Sequence, residues 1–221
     1  MEKQTRLKID DIKNVFLSDE YRAELEDLSC YGAHIKQERP MCYLLAKYLY
    51  KRGFVVDLEK KEENHWYDLV VNGVKIEVKF YYESDLTNRL EKEMKRYDWD
   101  INRLVSELNS CKMKRKSYGW SMTLRVVEDL LVKRPDIFIL IILSRDLRKS
   151  KVSLEHVCWG RYELEYNRRY GGFNIESSFK LLEKFLDCIR IKRNFVCGYA
   201  RIDISEVFPS SYHLYLCDFR V

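Results

Sequence analysis

The chain has 221 residues, of which 46% are hydrophobic and 34% charged, and its 40 Lys and Arg against 35 Asp and Glu leave a formal charge of +5. Aromatic residues reach 14%, which excludes a disordered chain, and the 3 Pro and 8 Gly exclude collagenous and low-complexity classes. The small positive excess is compatible with a nucleic-acid partner without requiring one.

The first residues are charged and lack the apolar core of a signal peptide. The longest apolar run, residues 137–143, falls far short of the ~20 residues that span a bilayer. The 7 cysteines are scattered and form no CxxC pair, so reduced thiols are expected and a zinc cluster is not. These features predict a cytoplasmic protein with no membrane partner. The length suits a single domain over residues 1–221.

In chain order, residues 7–28 read as helical, with Leu7, Ile9, Ile12, Val15, Phe16 and Leu17 on one side and Ser18 or Asp19 opening a second helix. Residues 35–52 form a longer helix, with Leu44, Leu45, Tyr48 and Leu49 at helical spacing and Gly53 just past its end. Residues 54–58 read as a strand. Residues 68–71 and 74–80 are β-rich runs joined by Asn72-Gly73, the dipeptide that best tolerates the positive φ of a tight hairpin. Residues 84–131 read as helices dense in charge. The run 137–144, apolar as far as Leu143, predicts a strand buried on both faces. Residues 150–174 read as irregular, 177–191 as an amphipathic helix, and 195–204 and 213–219 as closing strands. The expected class is α/β (α+β), a central mixed β-sheet flanked by helices.

A two-residue turn sets Val71 opposite Val74, Val70 opposite Lys75, Leu69 opposite Ile76 and Asp68 opposite Glu77. Two carboxylates then stand side by side. Lys79 shares the face of Glu77, because strand side chains alternate, while Leu69, Ile76, Val78 and Phe80 point the other way into a core. Opposed like charges are destabilising unless something neutralises them, and a hard divalent cation such as Mg²⁺ does so. With the lysine beside it, such a site has the positive field that phosphodiester cleavage requires. A surface hairpin carrying scattered charge is the plainer alternative.

Asp68, followed nine positions on by Glu77-Val78-Lys79 on a hairpin, resembles the catalytic core of the PD-(D/E)XK nucleases. The stretch with Gly32, Glu38-Arg39, Leu44-Leu45-Ala46, Leu49 and Gly53-Phe54 resembles the first helix of that superfamily. Residues 136–144 are similar to its next core strand. The resemblance covers about residues 32–80 and 136–144, with an insertion over about 84–134 and a C-terminal elaboration over about 150–221. It implies a restriction-endonuclease-like core with added helical segments. It also implies Mg²⁺ held by Asp68 and Glu77, Glu38 on the metal or its water, and Lys79 assisting the attacking water to leave a 5′-phosphate. Gln37 or Glu83 could take part of the role of Glu38. Tyr67 stands where the family name has Pro, and the literal Pro135-Asp136 has no Glu-x-Lys at useful spacing after it.

The chain's length and its additions resemble a type II restriction endonuclease, which implies a homodimer acting on double-stranded DNA. A structure-specific or junction-resolving nuclease, and a catalytically idle DNA-binding protein of the same fold, are the alternatives. Candidate DNA contacts are Lys112, Lys114, Arg115 and Lys116, then Arg168 and Arg169, and thirdly Lys192-Arg193-Asn194. The sequence holds neither a GxxxxGKS phosphate loop nor a GxGxxG motif, so no nucleotide cofactor is expected. His34, His65, His156 and His213 are isolated and read as structural; Trp66 and Tyr67 read as packing residues.

Overall fold

The computed structural model describes residues 6–32, 38–113, 121–145, 175–204 and 210–221. Six strands form one mixed sheet in the order β1-β2-β3-β4-β6-β5. They are β1 (Val56–Glu62), β2 (His65–Val71), β3 (Val74–Tyr82), β4 (Ile137–Arg145), β5 (Val196–Ile204) and β6 (Ser210–Asp218). Only β3 and β4 run parallel, and the helical crossover between them supplies the length that a parallel connection needs. The expected mixed sheet with flanking helices is therefore present.

One face of the sheet is covered by α1 (Ile9–Phe16), α2 (Asp19–Gly32) and α3 (Glu38–Lys51). Their apolar sides bury Ile12, Val15, Phe16, Leu45 and Leu49 against Leu69, Ile76, Val78, Phe80 and the odd-numbered residues of β4. The helical stretch 7–28 divides where expected, at Leu17–Ser18: the Ser18 hydroxyl accepts the Tyr21 N–H at 3.3 Å and opens α2. α3 ends at Lys51, and just past it Gly53 has a φ of +86°, the left-handed value that favours glycine.

The opposite face is covered by the segment between β3 and β4 and by α8 (Ile175–Arg190). That segment comprises α4 (Glu83–Asp85), a π-helical turn Leu86–Leu90, α5 (Glu91–Arg96), α6 (Ile101–Met113), α7 (Met122–Glu128) and a second π-helical turn Asp129–Lys133. Phe138, Leu140 and Ile142 of β4 pack under it. Residues 137–143 are thus buried from both sides, as an unbroken apolar run requires.

The hairpin forms around Asn72 and Gly73, with φ of +47° and +80°. Its register holds for Val71–Val74, Val70–Lys75 and Leu69–Ile76, and ends there. The expected fourth pair, Asp68 opposite Glu77, is absent from the ladder. β2 stays with β1 instead, through Lys60–Tyr67, Lys61–Trp66 and Glu62–His65. That pairing skips Glu59 and Asp68, and Glu59 carries a left-handed φ of +46°. The resulting kink turns β2 away from β3 at Asp68. β1 and β2 are longer than the sequence suggests, because the tight turn between Glu62 and His65 carries no glycine or proline to announce it.

Candidate active site

The fork between β2 and β3 leaves backbone donors of β3 without a strand partner. Side-chain carboxylates take them. Asp68 Oδ2 accepts the Val78 N–H at 2.7 Å, and Glu38 Oε2, from the first turn of α3, accepts the Phe80 N–H at 3.0 Å. Val78 and Phe80 are two residues apart, so their N–H groups leave the strand on the same edge. Asp68 and Glu38 therefore come to one edge of β3 from different elements.

Glu77 and Lys79 project from β3 toward the second helical layer. Glu77 is only 1% exposed. Its Oε1 accepts from Lys79 Nζ at 2.8 Å and from Lys133 Nζ at 2.6 Å. Its Oε2 is buried and has no hydrogen-bond partner. Asp129, also buried, completes the cluster: Oδ1 lies 2.9 Å from Lys133 Nζ and Oδ2 lies 3.3 Å from Lys79 Nζ. The two lysines and two carboxylates thus form a closed ring, Glu77–Lys79–Asp129–Lys133.

Burial alone would lower the pKa of the Lys79 ammonium, but Asp129, Glu77, Glu38 and Asp68 outweigh it and hold the value well above the usual one. Lys79 is accordingly a hydrogen-bond donor and positive charge, not a proton acceptor. Burial raises Asp68, against the pull of Lys79 and the Val78 N–H. Burial likewise raises Glu77 against the pull of Lys79, with Asp129 and Asp68 pushing upward too. Among the described residues, four carboxylates, Asp68, Glu77, Glu38 and Asp129, act on the Lys79 ammonium. Each carboxylate is engaged by the protein, however, and among the described residues no group of three potential ligands is assembled for a metal. An oxygen that is buried without a partner, Glu77 Oε2, sits within the cluster.

The structure therefore joins Glu77 and Lys79 in one cluster with Asp129 and Lys133, and sets Asp68 and Glu38 beside it on the edge of β3. Glu83, the alternative to Glu38, is occupied elsewhere: Ser144 Oγ donates to its Oε2 at 2.7 Å. Asp129 and Lys133 were not singled out by sequence reasoning. A signal existed, because Asp129 falls on the same helical side as Val126 and next to Leu130, so an acid interrupts a buried apolar face. The turn carrying this pair is braced by two side chains through three hydrogen bonds. Tyr67 donates its hydroxyl to the Lys133 carbonyl at 2.7 Å, and Arg193 donates to the carbonyls of Leu130 at 2.9 Å and Pro135 at 2.6 Å. Arg134 follows with a left-handed φ of +54°.

Arg193 is thereby removed from the candidate DNA contacts. Its guanidinium is spent on two carbonyls and on the ring of Phe219, 4.0 Å away. Lys112 belongs to α6. Lys114, Arg115, Lys116, Arg168, Arg169 and the irregular stretch 150–174 lie outside the described residues, as do Gln37, His34 and His156. Tyr67 is buried as expected, whereas Trp66 is 61% exposed, because the kink at Asp68 turns its side of β2 to solvent. Asp136, the decoy, is structural: its carboxylate accepts the Lys75 N–H at 2.8 Å. His213 is buried, sharing a 2.7 Å hydrogen bond with the Tyr199 hydroxyl, and burial lowers its pKa to about 4, so it is neutral. No helix among the described residues is long and apolar enough to cross a membrane.

No protein-family model matches the chain, and neither a curated protein nor a solved structure matches it.

Proposed function

We propose that the protein is a Mg²⁺-dependent endodeoxyribonuclease that hydrolyses phosphodiester bonds of double-stranded DNA. The observation carrying this reading is the convergence of Asp68, Glu77, Glu38 and Lys79 at the fork of β2 and β3, with one Glu77 oxygen buried and unpartnered. Acids brought from two strands and a helix to one fork would suit a hard cation better than they suit stability. The helix, hairpin and central strand that carried the resemblance to the PD-(D/E)XK nucleases all belong to one sheet and its covering layer.

Asp68 and Glu77 would hold the cation, with Glu38 on it or on its water. A bound Mg²⁺ supplies Lewis acidity toward the phosphate and lowers the pKa of a bound water. Lys79, fixed as an ammonium, donates to the attacking water or to a non-bridging oxygen and offsets the charge that builds on phosphorus. The bond from phosphorus to the 3′-oxygen breaks and the phosphate stays on the 5′-end. Within this class we favour a sequence-specific type II restriction endonuclease acting as a homodimer, as the chain's length and additions suggest.

The test is digestion of plasmid DNA with Mg²⁺ and with EDTA, beside a synthetic four-way junction. Discrete Mg²⁺-dependent fragments are expected. A cut junction beside an intact plasmid would make the protein a resolvase, and binding without cleavage of either would make it an idle relative.

A further inference from the structure

The last two strands bring two thiols into contact. Cys197 of β5 and Cys217 of β6 are directly opposed in the antiparallel ladder, and their sulfurs lie 3.8 Å apart. Directly opposed residues of such a pair have Cα atoms about 4.5–5.5 Å apart. A disulfide bridges Cα atoms about 4.4–6.8 Å apart, so the ladder already holds a bridging geometry. Both side chains lie on the sheet face covered by α8. Cys217 is fully buried, whereas Cys197 is half-buried on the edge strand, so a reagent reaches Cys197 first. The Cys217 thiol donates to the Cys197 sulfur. That contact lowers the Cys197 pKa, burial opposes it, and Arg190 adds to the lowering, which favours the nucleophilic thiolate. The other described thiols are engaged elsewhere. Cys42 belongs to the opposite apolar layer, Cys111 donates to the Glu107 carboxylate at 3.8 Å, and Cys188 donates to the Trp99 carbonyl at 3.3 Å.

We propose that Cys197 and Cys217 are a peroxide-reactive thiol pair that closes to a cross-strand disulfide. The co-reactant is a hydroperoxide. The Cys197 thiolate attacks one peroxide oxygen and the O–O bond breaks. The leaving oxygen takes up the proton that Cys197 gave up and departs as water or an alcohol. Cys197 then carries a sulfenic acid. The Cys217 sulfur attacks the Cys197 sulfur: the S–S bond forms, the S–O bond breaks, and hydroxide leaves with the Cys217 proton as water. Two electrons pass from the two thiols to the peroxide. Because the ladder holds the second sulfur opposite the first, closure needs side-chain rotation and no movement of a strand. The new bond ties the edge strand β5 to its only neighbour in the sheet. This chemistry is independent of any at the fork of β2 and β3.

In the experiment the full chain, reduced and freed of reductant, is treated with hydrogen peroxide while folded. It is then unfolded, alkylated and digested for peptide mass spectrometry. A Cys197–Cys217 bridge is expected, and dithiothreitol should reverse it. Cys217→Ala should stop at a sulfenic acid on Cys197, captured by dimedone, and Cys197→Ser should leave Cys217 unlabelled. In the oxidised wild type the bond closes the chain between the two residues. It should lower the unfolding equilibrium constant by about 10²-fold, read by denaturant unfolding without reductant. Both thiols still free in the peroxide-treated wild type would make the pair an inert packing contact and overturn the proposal, whether or not either variant folds. Dimedone on Cys217 in Cys197→Ser would overturn the order of attack. A bridged chain no more stable than the reduced one would overturn the claim that the ladder already holds a bridging geometry.

Discussion

Asp68 performs a structural task and a proposed chemical one, and substitution separates them. Structurally, its carboxylate accepts the Val78 N–H where β2 leaves β3. Asp68→Asn keeps an acceptor there and removes the charge. Asp68→Ala leaves a part-buried donor without a partner, which costs about 1–3 kcal/mol. Because burial raises the Asp68 pKa in the folded protein, its protonated form contributes stability below the ordinary carboxylate pKa, and that contribution is lost as pH rises through the raised folded value. In the metal-free protein, Asp68→Asn should therefore become more stable relative to wild type between pH 4 and pH 8, as read from melting temperatures. A constant offset across that range would show that the charge carries no burial penalty. Both variants, and Lys79→Met, should lose cleavage by about 10²–10³-fold or more, measured as the rate of supercoiled plasmid loss. The shared face of Glu77 and Lys79 was legible in the sequence because a strand's period of two fixes faces locally, whereas Asp68, expected opposite Glu77, stands beyond the last hairpin pair. The kink that spoils the last hairpin pair was not, since it depends on Glu59 across the β1–β2 ladder.

The element that decides the shape of the site is the π-helical turn Asp129–Lys133. In sequence its acid and base, four apart, have the spacing of an ordinary helix pair, and only the apolar neighbours of Asp129 set it apart. Burial converts them into part of the cluster, and burial here comes from chain segments far away: Tyr67 on β2 and Arg193 before β5. No local pattern announces such long-range bracing, which is also why Arg193 reads as a free basic residue in isolation. Arg193→Met retains an apolar contact with Phe219 but loses both carbonyl hydrogen bonds. It should cost about 2–3 kcal/mol of stability, seen in denaturant unfolding. It should also reduce cleavage although it touches none of the acids, because Asp129 and Lys133 would lose their fixed height over Glu77. Full activity in Arg193→Met at a temperature where it is folded would show that the turn holds itself.

At the scale of the molecule, the sheet separates two apolar layers, and the site lies where the layers meet at its fork. Glu38 arrives from the α1–α3 side, Glu77 and Asp129 from the other, and Asp68 from the kinked strand between. The interior place of β4 was readable because residues 137–143 form an unbroken apolar run. The contribution of both layers to one site was not, since it depends on how the crossover segment folds back. On the proposed function, a cation held here would bridge elements from different parts of the fold and stabilise the whole structure. At a concentration of 100 Kd the gain is about 2.7 kcal/mol. For a chain of this size that raises the melting temperature by about 5–10 °C. The shift should shrink as pH falls, because Asp68 and Glu77, both with raised pKa, must lose their protons to take the cation. Glu77→Gln should abolish the shift while remaining folded in EDTA, its amide still able to accept from Lys79 and Lys133. A Ca²⁺ shift that persists undiminished in Glu77→Gln would place the cation away from the fork. The excess of acid over base at Glu77 would then be a cost the fold bears for some other contact.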